Sequence, residues 1–199
     1  MIYRIGWSLC NLYLHLFFRV RFVGKENIPK NEGFILASNH VSNYDPPLVA
    51  IGMWQQVFFM AKIELFRKKI LGLILRGLGA FPVERGKGDT GAIDWARDIV
   101  QKGGVLGMFP EGHRSPDGKP LRPKSGTAMI AGQTRSNVLP CAVCFDGPPS
   151  FRSRVTVRYG KLIHAEELGF TGDGMSPREM KVASRFIMDR IIELLEQGP

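Results

Sequence analysis

Phe34-Ile35-Leu36-Ala37 is apolar at every position and stops abruptly at the polar string Ser38-Asn39-His40-Val41-Ser42-Asn43-Tyr44-Asp45-Pro46. A run this short and this uniformly apolar reads as a buried strand. A helical pattern resumes at once: Asp45 is placed to cap it, Pro46 suits its first position, and Leu48 to Met53 continue it. The alternation then repeats. Val57 to Met60 reads as a strand, Glu64 to Leu75 as a basic, apolar helix, and Leu78 to Val83, beside Gly79, as a strand or extended loop. Thr90 to Lys102 has helical periodicity and ends at Gly103-Gly104; Val105 to Phe109 is a strand running into the polar loop Pro110 to Lys119. Thr127 to Gln133 reads as a helix, and Leu139 to Phe145 and Arg154 to Tyr159 as strands, the second alternating as if partly exposed. Val20 to Val23 fits a short edge strand. Ser176-Pro177-Arg178-Glu179 supplies a cap, a first-turn proline and a capping-box glutamate for a helix reaching about Leu195. With no repeat or low-complexity linker in 199 residues, a single α/β domain is the coherent result.

The pair His40 and Asp45 therefore sits where a strand gives way to a helix, the end of an α/β sheet at which ligands commonly bind. A base and a carboxylate so placed have the chemistry to polarise a hydroxyl. They are also compatible with plain structure, the imidazole meeting a loop carbonyl and the carboxylate capping a helix. Lys and Arg exceed Asp and Glu by 27 to 18, a formal charge of +9. That excess suits phosphates, nucleic acid or an anionic lipid surface without choosing among them. Arg85, Arg114 and Lys124 each stand near glycine or an element boundary, where guanidinium or ammonium groups can meet phosphate oxygens. The cysteines, Cys10, Cys141 and Cys144, are too few for a disulfide framework, and the offset between the last two sends their side chains to opposite faces of a strand. No zinc-ligand pattern, nucleophile elbow or Walker A loop occurs.

Ile5 to Phe18 is apolar but falls short of the roughly 20 residues of a bilayer span. As a helix it gathers Arg4, Ser8, Asn11, His15 and Arg19 into a narrow stripe, with Trp7, Leu9, Tyr13, Leu14, Phe17 and Phe18 over much of the rest. Such a helix lies in a membrane interface or packs on its own domain. Arg19, Arg21 and Lys25 come next, in reach of anionic headgroups. No small-residue cleavage site succeeds the apolar part.

Four blocks taken in order are far more specific. Asn39 to Asp45 resembles the H-x-x-x-x-D block of the glycerophospholipid acyltransferase family; Gly79-Ala80-Phe81-Pro82-Val83-Glu84-Arg85 resembles the second block, Phe109-Pro110-Glu111-Gly112-His113-Arg114-Ser115 the third, and Val138-Leu139-Pro140-Cys141-Ala142-Val143 the fourth. Within the family the resemblance is to bacterial 1-acyl-sn-glycerol-3-phosphate acyltransferases. It implies a mixed, largely parallel sheet flanked by helices; with residues 1–19 read from their apolar pattern as a membrane-associating helix, 20–199 is the acyltransferase domain. It implies His40 as general base and Asp45 as its orienting carboxylate, Arg85 and Arg114 on the acceptor phosphate, and Gly79, Phe81, Glu111, Gly112, Lys124 and Gly126 in supporting positions. His113 departs from the serine or threonine usual there.

The activity so implied moves a fatty acyl group from acyl-coenzyme A or acyl-carrier protein, as co-substrate, to the 2-hydroxyl of lysophosphatidic acid, at an anionic membrane on the cytoplasmic face and without metal or cofactor. An acyl groove would draw on the N-terminal helix and Leu65 to Leu78. Glycerol-3-phosphate or another lysolipid is the rival acceptor. Outside catalysis the rivals are a membrane adaptor and a nucleic-acid-binding domain, the latter without an aromatic RNA-binding signature or recognition helix.

Overall fold

The structure is a computed structural model that describes residues 2–83, 90–171 and 175–199. Helix α1 (Ile2–Phe17) enters strand β1 (Arg19–Val23). β2 (Phe34–Ser38) leads to α2 (Asp45–Ile51), and β3 (Val57–Lys62) to α3 (Ile63–Phe66) and α4 (Lys69–Gly77). β4 (Ala80–Val83) precedes α5 (Thr90–Gln101), β5 (Val105–Met108) precedes α6 (Gly126–Thr134), and β6 (Val138–Phe145) is followed by β7 (Arg154–Tyr159) and α7 (Pro177–Leu195). The strands form one sheet in the order β1-β7-β6-β2-β5-β3-β4, each pair parallel except β6 with β7. The mixed, largely parallel sheet is thus as expected.

Alternation along the strands divides the core into two layers. Ile35, Ala37, Leu106 and Val138 face α5, α6 and α7, meeting Ile99, Ile130, Ile187 and Ile191. Phe34, Leu36, Leu139, Cys141 and Val143 face the other way, against Leu14, Phe18, Leu48 and Val49 of the α1 and α2 side. Every position of β2 is consequently buried. Because β2, β5, β3, β4 and β6 run in parallel, their carboxyl ends share one edge of the sheet, and the loops that leave that edge are neighbours.

Two local expectations need correction, and a third holds. The basic segment after β3 is two helices, since Lys68 is extended and Gly72 lies so close to Phe66 that an added Cβ would stand 2.8 Å from its carbonyl oxygen. β7 keeps the partly exposed face expected of it although it is an inner strand: Val155, Val157 and Tyr159 are buried on one face, while on the other Arg154 is exposed and Arg158 half-buried on either side of buried Thr156. Asp45 does not cap α2. Pro46 and Pro47 have no N–H, so the first turn offers few donors to cap, and the carboxylate turns back into the preceding loop.

α1 both packs and remains open. The Trp7 indole N–H donates to the carbonyls of Ala50 and Met53, and Leu14 is buried; Ile2, Ile5, Leu9, Leu12 and Leu16 are each more than half exposed on the outer side. Gly6 of α1 and Gly77 of α4 admit Leu78 and Ile2 respectively, seating the two helices together. α4 continues the apolar surface with Ile70, Leu73 and Ile74, so the Leu65 to Leu78 segment presents these side chains outward. Among the described residues no helix is long and apolar enough to cross a membrane.

Candidate active site

At the carboxyl end of β2 the chain turns sharply, and the turn is organised around one buried oxygen. Asp45 Oδ2 accepts the N–H of Val41 at 2.7 Å, that of Ser42 at 2.6 Å and His40 Nδ1–H at 2.9 Å. The Asp45 side chain is fully buried and His40 is 13% exposed. Three donors converging on a buried carboxylate suit its negative charge. An ionised carboxylate only accepts, so Nδ1 carries the proton and Nε2 is left with a free lone pair. That is the tautomer a general base requires.

The third block fixes the same residue from the other side. Glu111 is completely buried; its Oε1 accepts the His40 N–H at 2.9 Å and its Oε2 the Leu121 N–H at 3.0 Å. Burial pushes the Glu111 carboxyl up, against the pull of those two amides. The Ser115 N–H donates to the His40 carbonyl at 2.7 Å, so both backbone polar groups of His40 are tied to this loop. Phe109 supplies a floor, its ring stacked on the imidazole with centroids 4.1 Å apart at 20°, and Phe59 backs Phe109 in turn. The fourth block is joined through Asn39, whose Nδ2 donates to the Val143 carbonyl at 3.1 Å and whose Oδ1 accepts the Val143 N–H at 2.8 Å. This side chain extends the β2–β6 pairing one step beyond the strand, carrying the rigidity of the sheet to the residue before His40.

Gly112 has φ +75, and a Cβ there would fall 2.8 Å from Lys124 Cδ, so the Lys124 stem lies across the glycine. Arg114 and Lys124 are exposed and have no ion-pair partner among the described residues. Gly126 opens α6, one residue beyond Ser125. His113 is exposed on the same loop.

The second block divides differently from the expectation. Gly79, at φ +90, makes the turn into the amino end of β4, where a Cβ would stand 2.9 Å from the Val57 carbonyl. Phe81 is 5% exposed at the edge of the core, where exposed Trp95 stacks over its ring. Neither lies at the sheet edge that carries His40: a turn at the entry to a parallel strand sits at the opposite edge, and β4 is three strands from β2. Arg85 lies outside the described residues. Phe109, Asn39 and Ser115 were not singled out from sequence as site residues; their stacking and hydrogen-bond roles depend on which strand ends meet.

Among the described residues no group of three His, Cys, Asp or Glu side chains has the geometry to hold a metal. Cys10, Cys141 and Cys144 are free, and burial raises all three thiols. The arrangement is an imidazole oriented by a buried carboxylate, with the Nε2 lone pair left free, at the rim of a loop that carries Arg114 and Lys124.

Residues 19–144 match the protein family described as Acyltransferase. The chain is 31% identical over 168 residues to a 1-acyl-sn-glycerol-3-phosphate acyltransferase of Bacillus subtilis, an alignment covering 84% of this chain and 82% of that protein. It is 32% identical over 151 residues to the protein of the same description from Streptococcus pneumoniae, covering 72% of this chain and 55% of the other. Among solved structures, that of the 1-acyl-sn-glycerophosphate (LPA) acyltransferase PlsC of Thermotoga maritima superposes with a TM-score of 0.74 at 29% identity, over 98% of this chain and 78% of that one.

Proposed function

Since the chain belongs to the acyltransferase family, in its 1-acyl-sn-glycerol-3-phosphate branch, we propose that it transfers a fatty acyl group from a coenzyme A or acyl-carrier-protein thioester to the 2-hydroxyl of lysophosphatidic acid, forming phosphatidic acid. The observation that carries the reading is the 2.9 Å bond from His40 Nδ1 to buried Asp45, which leaves Nε2 as the acceptor of a proton. Nε2 takes the proton of the acceptor hydroxyl as its oxygen attacks the thioester carbonyl carbon. The C–O ester bond forms, the C–S bond breaks, and the imidazolium returns the proton to the departing thiolate. Asp45 stabilises the imidazolium between those two transfers. No seryl intermediate is required.

Arg114, with Arg85 from the segment after β4, holds the acceptor phosphate, and Lys124 adds a point charge across Gly112. Binding at the phosphate fixes the glycerol backbone and presents its hydroxyl to His40 with less entropic loss. Glu111 and Gly112 shape this loop; Gly126 starts the helix behind it. The exposed apolar sides of α1 and α4 seat the protein on an anionic membrane. Arg4, Arg67, Lys68 and Lys69 supply positive charge along the same two helices and the turn between α3 and α4. Residues 1–19 thus serve association and 20–199 catalysis, with the protein peripheral or monotopic on the cytoplasmic face. The positive charge serves lipid and phosphate, and nucleic acid has no part.

Purified protein assayed with lysophosphatidic acid, glycerol-3-phosphate and lysophosphatidylcholine, each against acyl-coenzyme A and acyl-carrier protein, tests this. Transfer should be strongest to lysophosphatidic acid and absent in His40→Ala. A preference for either other acceptor refutes the substrate, and full activity in His40→Ala refutes the mechanism.

A further inference from the structure

A cleft of about 640 Å³ opens beside the catalytic turn, and the proton transfers at His40 leave it unused. Asn39 and Val41, which flank His40 in the chain, form part of its wall, as does Ser115, whose N–H holds the His40 carbonyl. Val143 and Phe145 at the end of β6 line it next to Asn39. The cleft therefore lies on the β6 side of His40, whereas β4, which leads in the chain to Arg85, lies on the other side beyond β5 and β3.

The chemistry of the lining decides what fits. No lysine or arginine lines the cleft among the described residues, and its one charged side chain is Asp117. That carboxylate is held by the Ser115 hydroxyl at 3.0 Å and the Lys119 N–H at 3.1 Å. A phosphate-bearing headgroup would meet negative charge there and no compensating cation. A bare hydrocarbon tail would gain little from walls that mix valine, phenylalanine and several prolines with asparagine, serine and aspartate. An uncharged chain with amide groups fits, and the volume is in the usual range of roughly 300–1,000 Å³ for ligand sites.

Resting on the reading of the chain as a thioester-dependent acyltransferase, we propose that this cleft receives the pantetheine arm of the acyl donor, with the sulfur at the His40 end and the rest of the carrier outside. The arm is common to coenzyme A and acyl-carrier protein, so one cleft serves both donors. The two substrates then approach His40 from opposite sides, the anionic acceptor past the cations and the neutral arm past Asn39 and Ser115.

Pro148→Trp, in the loop after β6, and Pro116→Trp, in the loop after β5, place a large ring in the cleft at exposed loop positions. Each variant should raise KM tenfold or more for palmitoyl-coenzyme A, palmitoyl-acyl-carrier protein and S-palmitoyl-pantetheine alike, and weaken desulfo-coenzyme A binding similarly in calorimetry. KM for lysophosphatidic acid should stay within twofold. Unchanged donor KM in both variants, or a rise confined to the acceptor, overturns the assignment. A rise for palmitoyl-coenzyme A alone overturns it as well, placing the nucleotide there instead of the arm. Absence of transfer by the unmodified chain, with desulfo-coenzyme A binding still lost in the variants, would overturn the acyltransfer reading while supporting the site.

Discussion

Glu111→Gln replaces one carboxylate oxygen with an NH2 group of nearly the same shape, and the structure makes that small change expensive. Glu111 is completely buried, and each of its oxygens accepts a different backbone N–H, from His40 and from Leu121. Glutamine has one acceptor oxygen, so in either orientation its NH2 faces one of those amides. A charge-assisted bond is lost, worth about 1.5–3 kcal/mol, and a buried N–H is stranded at about 1–3 kcal/mol. The two penalties overlap, and a net destabilisation of about 3 kcal/mol is expected. In a domain of this size each kcal/mol lowers Tm by about 2–4 °C, giving a fall of roughly 6–12 °C. Catalysis should suffer separately, because either the His40 N–H loses its acceptor and the residue is tied to the third loop by hydrogen bonding only through the Ser115 N–H, or the loop that holds His40 is released at Leu121. An imidazole misplaced by about 1 Å can cost on the order of 100-fold, so kcat should drop 10- to 100-fold at a temperature where both proteins are folded. Differential scanning calorimetry and steady-state kinetics read the two effects. KM for both substrates should stay within about twofold, as expected of a residue that positions the base without touching substrate. A Tm within 2 °C of the parent together with unchanged kcat would refute the clamp.

Asp45→Asn keeps an oxygen for the Val41 and Ser42 amides but removes the charge that favours the imidazolium, and kcat should fall by about 10²–10⁴ in a protein that still unfolds cooperatively. Retention of more than half the parent kcat would refute the dyad. At the start of α7 the Thr171 hydroxyl, with the amides of Ser176 and Thr171, draws the Glu179 carboxyl down to about 2. A lowered folded-state value means that its stabilising contribution is present above the unfolded value of about 4.3 and is lost as pH falls from there toward 2. The stability gap between parent and Glu179→Gln in urea titrations should accordingly close across that window; a gap independent of pH would count against the assignment. On α4, Ile70 and Leu73 are 78% and 72% exposed, so changing both to Asn should leave Tm unchanged while lowering partition onto anionic vesicles about 100-fold, at about 1.5 kcal/mol for each apolar side chain. Undiminished partition would leave α1 as the whole membrane seat.

The succession of apolar runs was enough to read the sheet and most of its helices, because a strand such as β2, buried on both faces, has few other ways to satisfy Phe34, Ile35, Leu36 and Ala37. The break between α3 and α4 was hidden, since the apolar pattern continues across it and only the approach of Gly72 to Phe66 reveals the turn. The role of Asp45 was half visible. Its pairing with His40 agrees with the motif, but its place at the start of a helix suggests a cap that Pro46 and Pro47, which offer no N–H, leave without a function. Phe109 and Glu111 required the register of the sheet: Ala37 pairs with Met108, so the chains leaving β2 and β5 emerge side by side and bring His40 onto Phe109. The second block misled for the same topological reason. Its contiguous residues span the length of a parallel strand, so Gly79 and Phe81 serve the turn and the core, and β4 reaches the edge that His40 occupies only at Val83. In a fold of this kind the position of a motif residue relative to the carboxyl end of its strand separates chemistry from scaffold. By that criterion His40, Glu111, Arg114 and Lys124 stand as the candidates for chemistry, on loops that leave the carboxyl ends of β2 and β5, and Gly79 and Phe81 lie in the frame beneath them.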